Sequence, residues 1–246
     1  MKKLVGYITT SFPSNNFTVD LCSSMAQNGV DILELGIPFS DPVADGPVIE
    51  KANLISLEKG FKLKDLFEVS QQISPKIETL WMGYMNMFYH QGMENIVKKA
   101  QELGVQGSII PDLPHEEAIA YKELFAQYNQ ALISFVAPTD TKERIQTLVK
   151  DAQKFIYLVA YAGITGSGQS EDLTQIIENI REFSPTPIYI GFGVDEKTAK
   201  DKAKGVDGVI VGSAFVKHLL DDNMSLTQKI TKISHLSKEI KEKINE

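Results

Sequence analysis

Eight short apolar runs recur along the chain with helix-type segments between them, and this alternation is what most constrains the fold. The runs are LVGYIT (4–9), DILELG (31–36), ETLWMG (78–83), GSIIPD (107–112), ALISFV (131–136), FIYLVA (155–160), PIYIGF (187–192) and GVIVGS (208–213). Most are continuously apolar rather than alternating, as expected of strands covered on both faces. The intervening TVDLCSSMAQNG, MENIVKKAQELG, EEAIAYKELFAQYN, TKERIQTLVKDA, DLTQIIENIREF and DEKTAKDKAKG carry helical spacing. LTQKITKISHLSKEIKEKINE reads as a polar-faced terminal helix. One pattern returns three times, in NGVDILELG, LGVQGSIIPD and KGVDGVIVGS: a helix-ending glycine, a valine, a polar residue, then a strand. Strand–helix alternation of this kind, with no break in composition, predicts an α/β fold. The expected form is a single-domain (β/α)8 TIM barrel over residues 1–246. The alternative is an open doubly wound sheet, and the strand count favours the barrel.

In a barrel, the carboxyl ends of the strands and the connections that follow them form the site. The second strand delivers LELGIPFSDPVADGP. Glu34 lies two residues before Gly36, so it should point into the mouth while Leu33 and Leu35 face the helices. No cation is near in sequence, and burial without a partner raises a carboxyl pKa toward neutrality, where it can both give and take a proton. Pro38, Pro42 and Pro47 stiffen the connection. Asp41 reads as a turn initiator, whereas Asp45 reads as a carboxylate held over bound substrate.

The far end of the chain differs. The sixth strand runs into AGITGSGQS, the seventh into IGFG and the eighth into VGSAF, where Gly212 and Ser213 open a helix. Glycines let backbone N–H groups approach an anion, and a helix start adds free donors. Loops after the seventh and eighth strands are the usual phosphate site of such barrels. None of the three stretches contains lysine or arginine, so backbone and hydroxyls would hold the phosphate. Tyr7, Met82, Tyr84, Tyr157 and Phe192 add apolar, mostly aromatic surface, which suits a ligand with a flat apolar end and a phosphate end. Phe135 reads instead as core. Asp112 ends the fourth strand.

Composition sets outer limits. A formal net charge of −7 disfavours nucleic acid and anionic membrane as partners. Cys22 is the one cysteine, reads as a small core residue, and implies a reducing compartment. MKKLVGYITT lacks the apolar core of a secretory signal, and no run approaches the roughly 20 residues of a membrane span, so a cytoplasmic location is expected. The four histidines have no metal-ligand spacing, and no metal site is expected.

LELGIPFSDPVADGP, followed in order by IIPDLPHEE, AGITG, IGFGV and VGSAFV, resembles the tryptophan synthase α subunit family over nearly the whole chain. The acidic loop is its most specific part, since other phosphate-binding barrels share only the glycine-rich end. The resemblance implies a lyase of tryptophan biosynthesis that splits indole-3-glycerol phosphate into indole and glyceraldehyde 3-phosphate. It makes Glu34 the general acid/base, Asp45 the hydrogen-bond acceptor for the indole N–H, and Tyr157 the tyrosine beside the glutamate. Gly166, Gly193, Gly212 and Ser213 fall at phosphate positions, and Thr165 at that of a threonine meeting Asp45 on closure. It further implies no cofactor in this chain, and an α2β2 complex with a β subunit that carries pyridoxal phosphate and receives the indole. Two features depart from the family: the first strand starts beside Met1, where members carry a helix under the barrel, and Tyr161 stands where many have arginine. An isomerase or epimerase sharing only the phosphate end is the same-fold alternative. A regulatory subunit that activates a partner enzyme is the other.

Overall fold

A computed structural model describes residues 1–160 and 173–246. Among the described residues, nine parallel strands form one sheet. They are β1 (Lys3–Thr9), β2 (Ile32–Gly36), β3 (Glu78–Met82), β4 (Gly107–Ile109), β5 (Ala131–Leu132), β6 (Ser134–Val136), β7 (Ile156–Val159), β8 (Ile188–Gly191) and β9 (Gly208–Val211). The order is β5-β4-β3-β2-β1-β9-β8-β7-β6. Its two ends, β5 and β6, are separated only by Ile133. They are the expected fifth strand interrupted by a kink, the first half pairing with β4 and the second with β7. The sheet therefore closes through that strand, and the expected eight-stranded barrel is present with one strand counted twice.

The thrice-repeated pattern builds the lower end of the barrel. Gly29, Gly104 and Gly205 have φ of 97°, 75° and 75°, the left-handed conformation that ends a helix and that glycine adopts without steric penalty. The valine then enters the core, and the polar residue sits where strands begin. Asp31 Oδ2 accepts the Leu4 N–H and Asp207 Oδ2 accepts the Ile188 N–H, both at 2.8 Å. Gln106 Oε1 accepts from Lys154 Nζ at 2.7 Å, and the same ammonium meets Glu78 Oε1 at 2.8 Å. From the helix Leu226–Lys243, Lys241 Nζ donates to Asp31 Oδ2 and to the Lys2 carbonyl, each at 2.6 Å. That helix turns Ile233, Leu236 and Ile240 inward and keeps the expected polar face outside.

Register decides which side chains face the mouth. Tyr7 pairs with Glu34 and Glu34 with Leu80. Across the barrel Phe135 pairs with Tyr157, and Tyr157 with Tyr189. Partners in parallel strands share a face, so these residues all point inward. Leu33 and Leu35 point outward and are fully covered by the helices. Cys22 is fully buried on the helix Asn15–Gln27, where desolvation pushes its thiol up to about 12. Three helices go beyond those expected, Pro47–Glu58, Leu63–Ile73 and Met85–Gln91, and the segment 116–129 breaks into short pieces. Among the described residues no helix is long and apolar enough to cross a membrane.

Candidate active site

The mouth of the barrel holds a cavity of ≈ 590 Å³. Tyr7, Glu34, Asp45, Met82, Tyr157, Phe192, Gly193, Gly212 and Ser213 all line it, so residues spread over 207 positions of sequence meet at one opening (7 to 213). Thr165 and Gly166, together with Tyr161, lie outside the described residues.

Glu34 is 2% exposed, and its Oε1 has no hydrogen-bond partner among the described residues. Desolvation, then the neighbouring Asp45 charge, push its carboxyl up to about 8. At neutral pH the side chain is therefore mostly protonated and poised to exchange that proton. Asp45 is half-buried on the loop before the helix Pro47–Glu58. Desolvation raises it, hydrogen bonds from Tyr84 and Asn53 oppose the rise, and it settles at about 6. Two neighbouring carboxyls thus have environments that separate them, one neutral and one charged near pH 7, which is the arrangement acid/base chemistry needs.

Aromatic rings wall the space above them. Tyr157 stacks on Phe135 at 5.0 Å between centroids and meets the edge of Phe192 at 6.3 Å. Phe135, expected as core, therefore belongs to the cavity wall; it sits on the inward parity of a strand whose upper half borders the mouth. Tyr7 and Tyr157 are both deeply buried, and desolvation holds both phenols well above their ordinary range, with Asp45 and Glu34 adding to it. Their rings occupy the space above glycines. A Cβ on Gly36 would fall 2.2 Å from the Tyr7 hydroxyl, and one on Gly191 2.4 Å from the Tyr157 hydroxyl. Gly191, read in sequence as part of an anion grip, is a seat for an aromatic ring.

Tyr84 is the one expected ligand contact among the described residues that the cavity lining does not include. Sequence placed it against the ligand, but it is 1% exposed, does not line the cavity and stands one layer behind. It stacks on Phe39 at 5.3 Å, accepts the Ala44 N–H at 3.1 Å and donates to the Asp45 carboxylate. Asp41 is exposed in a turn, its carbonyl accepting from Val43 N at 2.9 Å. Asp112 accepts from Met85 N at 2.8 Å, at the start of the helix Met85–Gln91.

After β8 and β9 the rim is largely backbone. Phe192 and Gly193 have φ of 72° and 68°, two successive left-handed residues that turn the chain after β8. Gly212 caps the helix Ser213–Leu219, whose first N–H groups have no partner within the helix. Two charged residues on this rim were not expected. Lys217 lies four residues beyond Ser213, one helical turn along the same face, and lines the cavity. The spacing from Ser213 could have revealed it. Asp195 lines the cavity too, its Oδ1 accepting the Lys197 and Thr198 N–H groups at 2.9 Å, and those bonds hold its carboxyl below the usual range against desolvation. Among the described residues no group of three histidine, cysteine, aspartate or glutamate side chains could hold a metal ion.

Comparison with known proteins agrees with this geometry. A family model described as tryptophan synthase alpha chain matches residues 1–245. The chain is 58% identical over 246 residues to the tryptophan synthase alpha chain of Wolinella succinogenes, covering 100% of this chain and 96% of that one. It is 36% identical to the Aquifex aeolicus protein of the same name over 252 residues, with coverage of 100% and 94%. Among solved structures, tryptophan synthase subunit alpha from Campylobacter jejuni superposes with a TM-score of 0.87 at 36% identity, covering 96% of this chain and 95% of that one.

Proposed function

The chain belongs to the tryptophan synthase alpha chain family, lyases that catalyse the α reaction, and on that premise we propose how this barrel performs it. The substrate is indole-3-glycerol phosphate. Its indole lies in the aromatic part of the cavity, between Tyr157, Phe135 and Met82, and its phosphate on the rim after β8 and β9, at Gly193, Gly212 and Ser213. The observation that carries the reading is Glu34: a fully enclosed carboxyl with an unused oxygen, facing the same cavity as a half-buried Asp45.

Neutral Glu34 gives its proton to the indole ring carbon that bears the side chain. That carbon becomes tetrahedral, and positive charge moves onto the ring nitrogen. Asp45, ionised, accepts the ring N–H and stabilises the cation electrostatically in a site with little water. The Glu34 carboxylate then takes the proton of the side-chain hydroxyl next to the ring. The O–H electrons form the aldehyde of glyceraldehyde 3-phosphate, the carbon–carbon bond breaks, and its electrons restore the aromatic ring. Glu34 ends protonated, as it began, so no net proton is consumed. Phosphate binding away from the breaking bond fixes the substrate's orientation. Tyr7 and Tyr157 exclude water and hold the ring plane. Gly166 and Thr165 complete the set by the motif they belong to.

A β-subunit partner follows from the family. We place this chain in an α2β2 assembly that delivers indole to a pyridoxal-phosphate site on the β subunit, with no cofactor in this chain. An isomerase or epimerase is not supported: such a reaction leaves the acidic loop and Asp45 without a task, and the relatives carry another name. Adding indole-3-glycerol phosphate to the purified chain, alone and with its β partner, tests the substrate. Indole release is expected; its absence in both mixtures would overturn the reading.

A further inference from the structure

The helix Pro47–Glu58, which follows the acidic loop, buries Ile49, Ala52, Asn53 and Ser56. Asn53 is the anomaly on that face. Its side chain is 1% exposed, and its Oδ1 has no partner among the described residues. A buried amide with an unsatisfied carbonyl destabilises the fold, and an apolar residue there would remove the penalty. Among the described residues the amide makes one bond: Nδ2 donates to Asp45 Oδ2 at 3.4 Å.

Asp45 needs such donors. A carboxylate drawn out of water is held in place and kept ionised by hydrogen bonds that point at it. The Tyr84 hydroxyl approaches from the strand side and is tied to the Ala44 N–H as well. The Asn53 amide approaches from the helix, eight residues further along the chain. Two donors on different elements restrict the rotation of a side chain that sits on a loop, which one donor cannot do. Ser56, one turn further on the same buried face, anchors that face by donating its hydroxyl to the Thr10 carbonyl at 3.0 Å, so the helix is a fixed platform.

We propose that Asn53 is a positioning residue of the α reaction, its amide holding the Asp45 carboxylate turned toward the cavity where the substrate's ring N–H arrives. This rests on the reading of Asp45 as the acceptor of that N–H. Asn53 touches no reacting atom and does not line the cavity; it acts through Asp45.

The test is a double-mutant cycle read with a pH profile. Asn53→Leu removes the donor at similar volume, and Asn53→Ser keeps a polar group too short to reach Asp45, in case the first variant folds poorly. Each should lower kcat/KM for indole-3-glycerol phosphate about tenfold near pH 6.5, as expected for one long bond to a charged group. The acid limb of the profile should move upward by roughly one pH unit, because a carboxylate that loses a donor holds its proton to higher pH. In an Asp45→Asn background the same substitutions should change kcat/KM less than about twofold. An unmoved acid limb, or an equal loss in both backgrounds, overturns the proposal, since a purely structural amide gives that result. Full kcat/KM in Asp45→Asn itself would overturn the reading of Asp45 and this proposal with it. An inactive Asp45→Asn beside unaltered Asn53 variants would overturn the proposal alone.

Discussion

The ring of Tyr157 fills the space that a side chain at Gly191 would need: a Cβ there would stand 2.4 Å from both the Tyr157 hydroxyl oxygen and Cε1. Neither atom is the free end of a flexible chain, because the ring is stacked on Phe135. Gly191→Ala should therefore push the ring off its seat, lowering stability by about 1–3 kcal/mol as overpacking does. Activity should fall further than stability explains, because the displaced ring is part of the cavity wall. Thermal unfolding and kcat/KM measured together check this; wild-type values for both would remove the packing argument.

The two carboxyls predict a bell-shaped dependence of kcat/KM on pH. Asp45 must be ionised, so activity rises through about pH 6. Glu34 must start protonated, so activity falls through about pH 8. The limbs belong to the interacting pair rather than to either group alone. Asp45→Asn should abolish the acid limb while leaving the alkaline one, and a profile flat from pH 5 to 9 in the wild type would contradict both assignments.

Enclosing Glu34 also has a stability consequence. Its folded value of about 8 lies above the ordinary 4.5, so the fold prefers the neutral form. That contribution is complete below pH 4.5 and is lost as pH rises through about 8. The loss totals about 5 kcal/mol as an order of magnitude, at about 1.4 kcal/mol per pH unit. Glu34→Gln removes it, so the variant should be more stable than wild type at pH 9 and nearly equal at pH 4.5. Denaturant unfolding at the two pH values measures the difference; equal stabilities at pH 9 would mean that Glu34 is not desolvated.

Gly212 offers a test of the phosphate end. A Cβ there would meet Ile49 Cδ1 at 3.1 Å and the Tyr7 Cβ at 3.5 Å, a tight but adjustable fit. Gly212→Ala should accordingly cost little in binding. Gly212→Asp adds a negative charge against the bound phosphate, which should raise KM at least about tenfold at low salt and less at high salt. Equal KM values for the two variants would place the phosphate elsewhere.

Much of this architecture is legible in the sequence, and the failures have physical causes. All eight expected strands appear because an apolar run covered on both faces leaves a simple signal. The kink at Ile133 does not, since ALISFV contains neither glycine nor proline to mark it. The helix Pro47–Glu58 was hidden because its buried face includes Asn53 and Ser56, so no apolar stripe forms. The helix Leu63–Ile73 does carry one, in Leu66, Val69 and Ile73, and its spacing makes it readable. That Glu34 and Asp45 reach the mouth could be read from position and surroundings, while the roles assigned to them come from the family resemblance. Tyr84 could not be placed, because sequence shows that a residue is near the mouth but not which layer it occupies. Asn53 left no trace: an asparagine on a helix reads as solvated until its burial is known.

The central claim is that one enclosed glutamate both gives and takes the proton during cleavage. Single-turnover release of indole from indole-3-glycerol phosphate by Glu34→Gln, with the β partner present, tests it most directly. The account predicts that the rate falls by about 10²–10⁴, the range for loss of a general acid/base, while substrate affinity stays within a few-fold of wild type. Cleavage at the wild-type rate by this variant would contradict it.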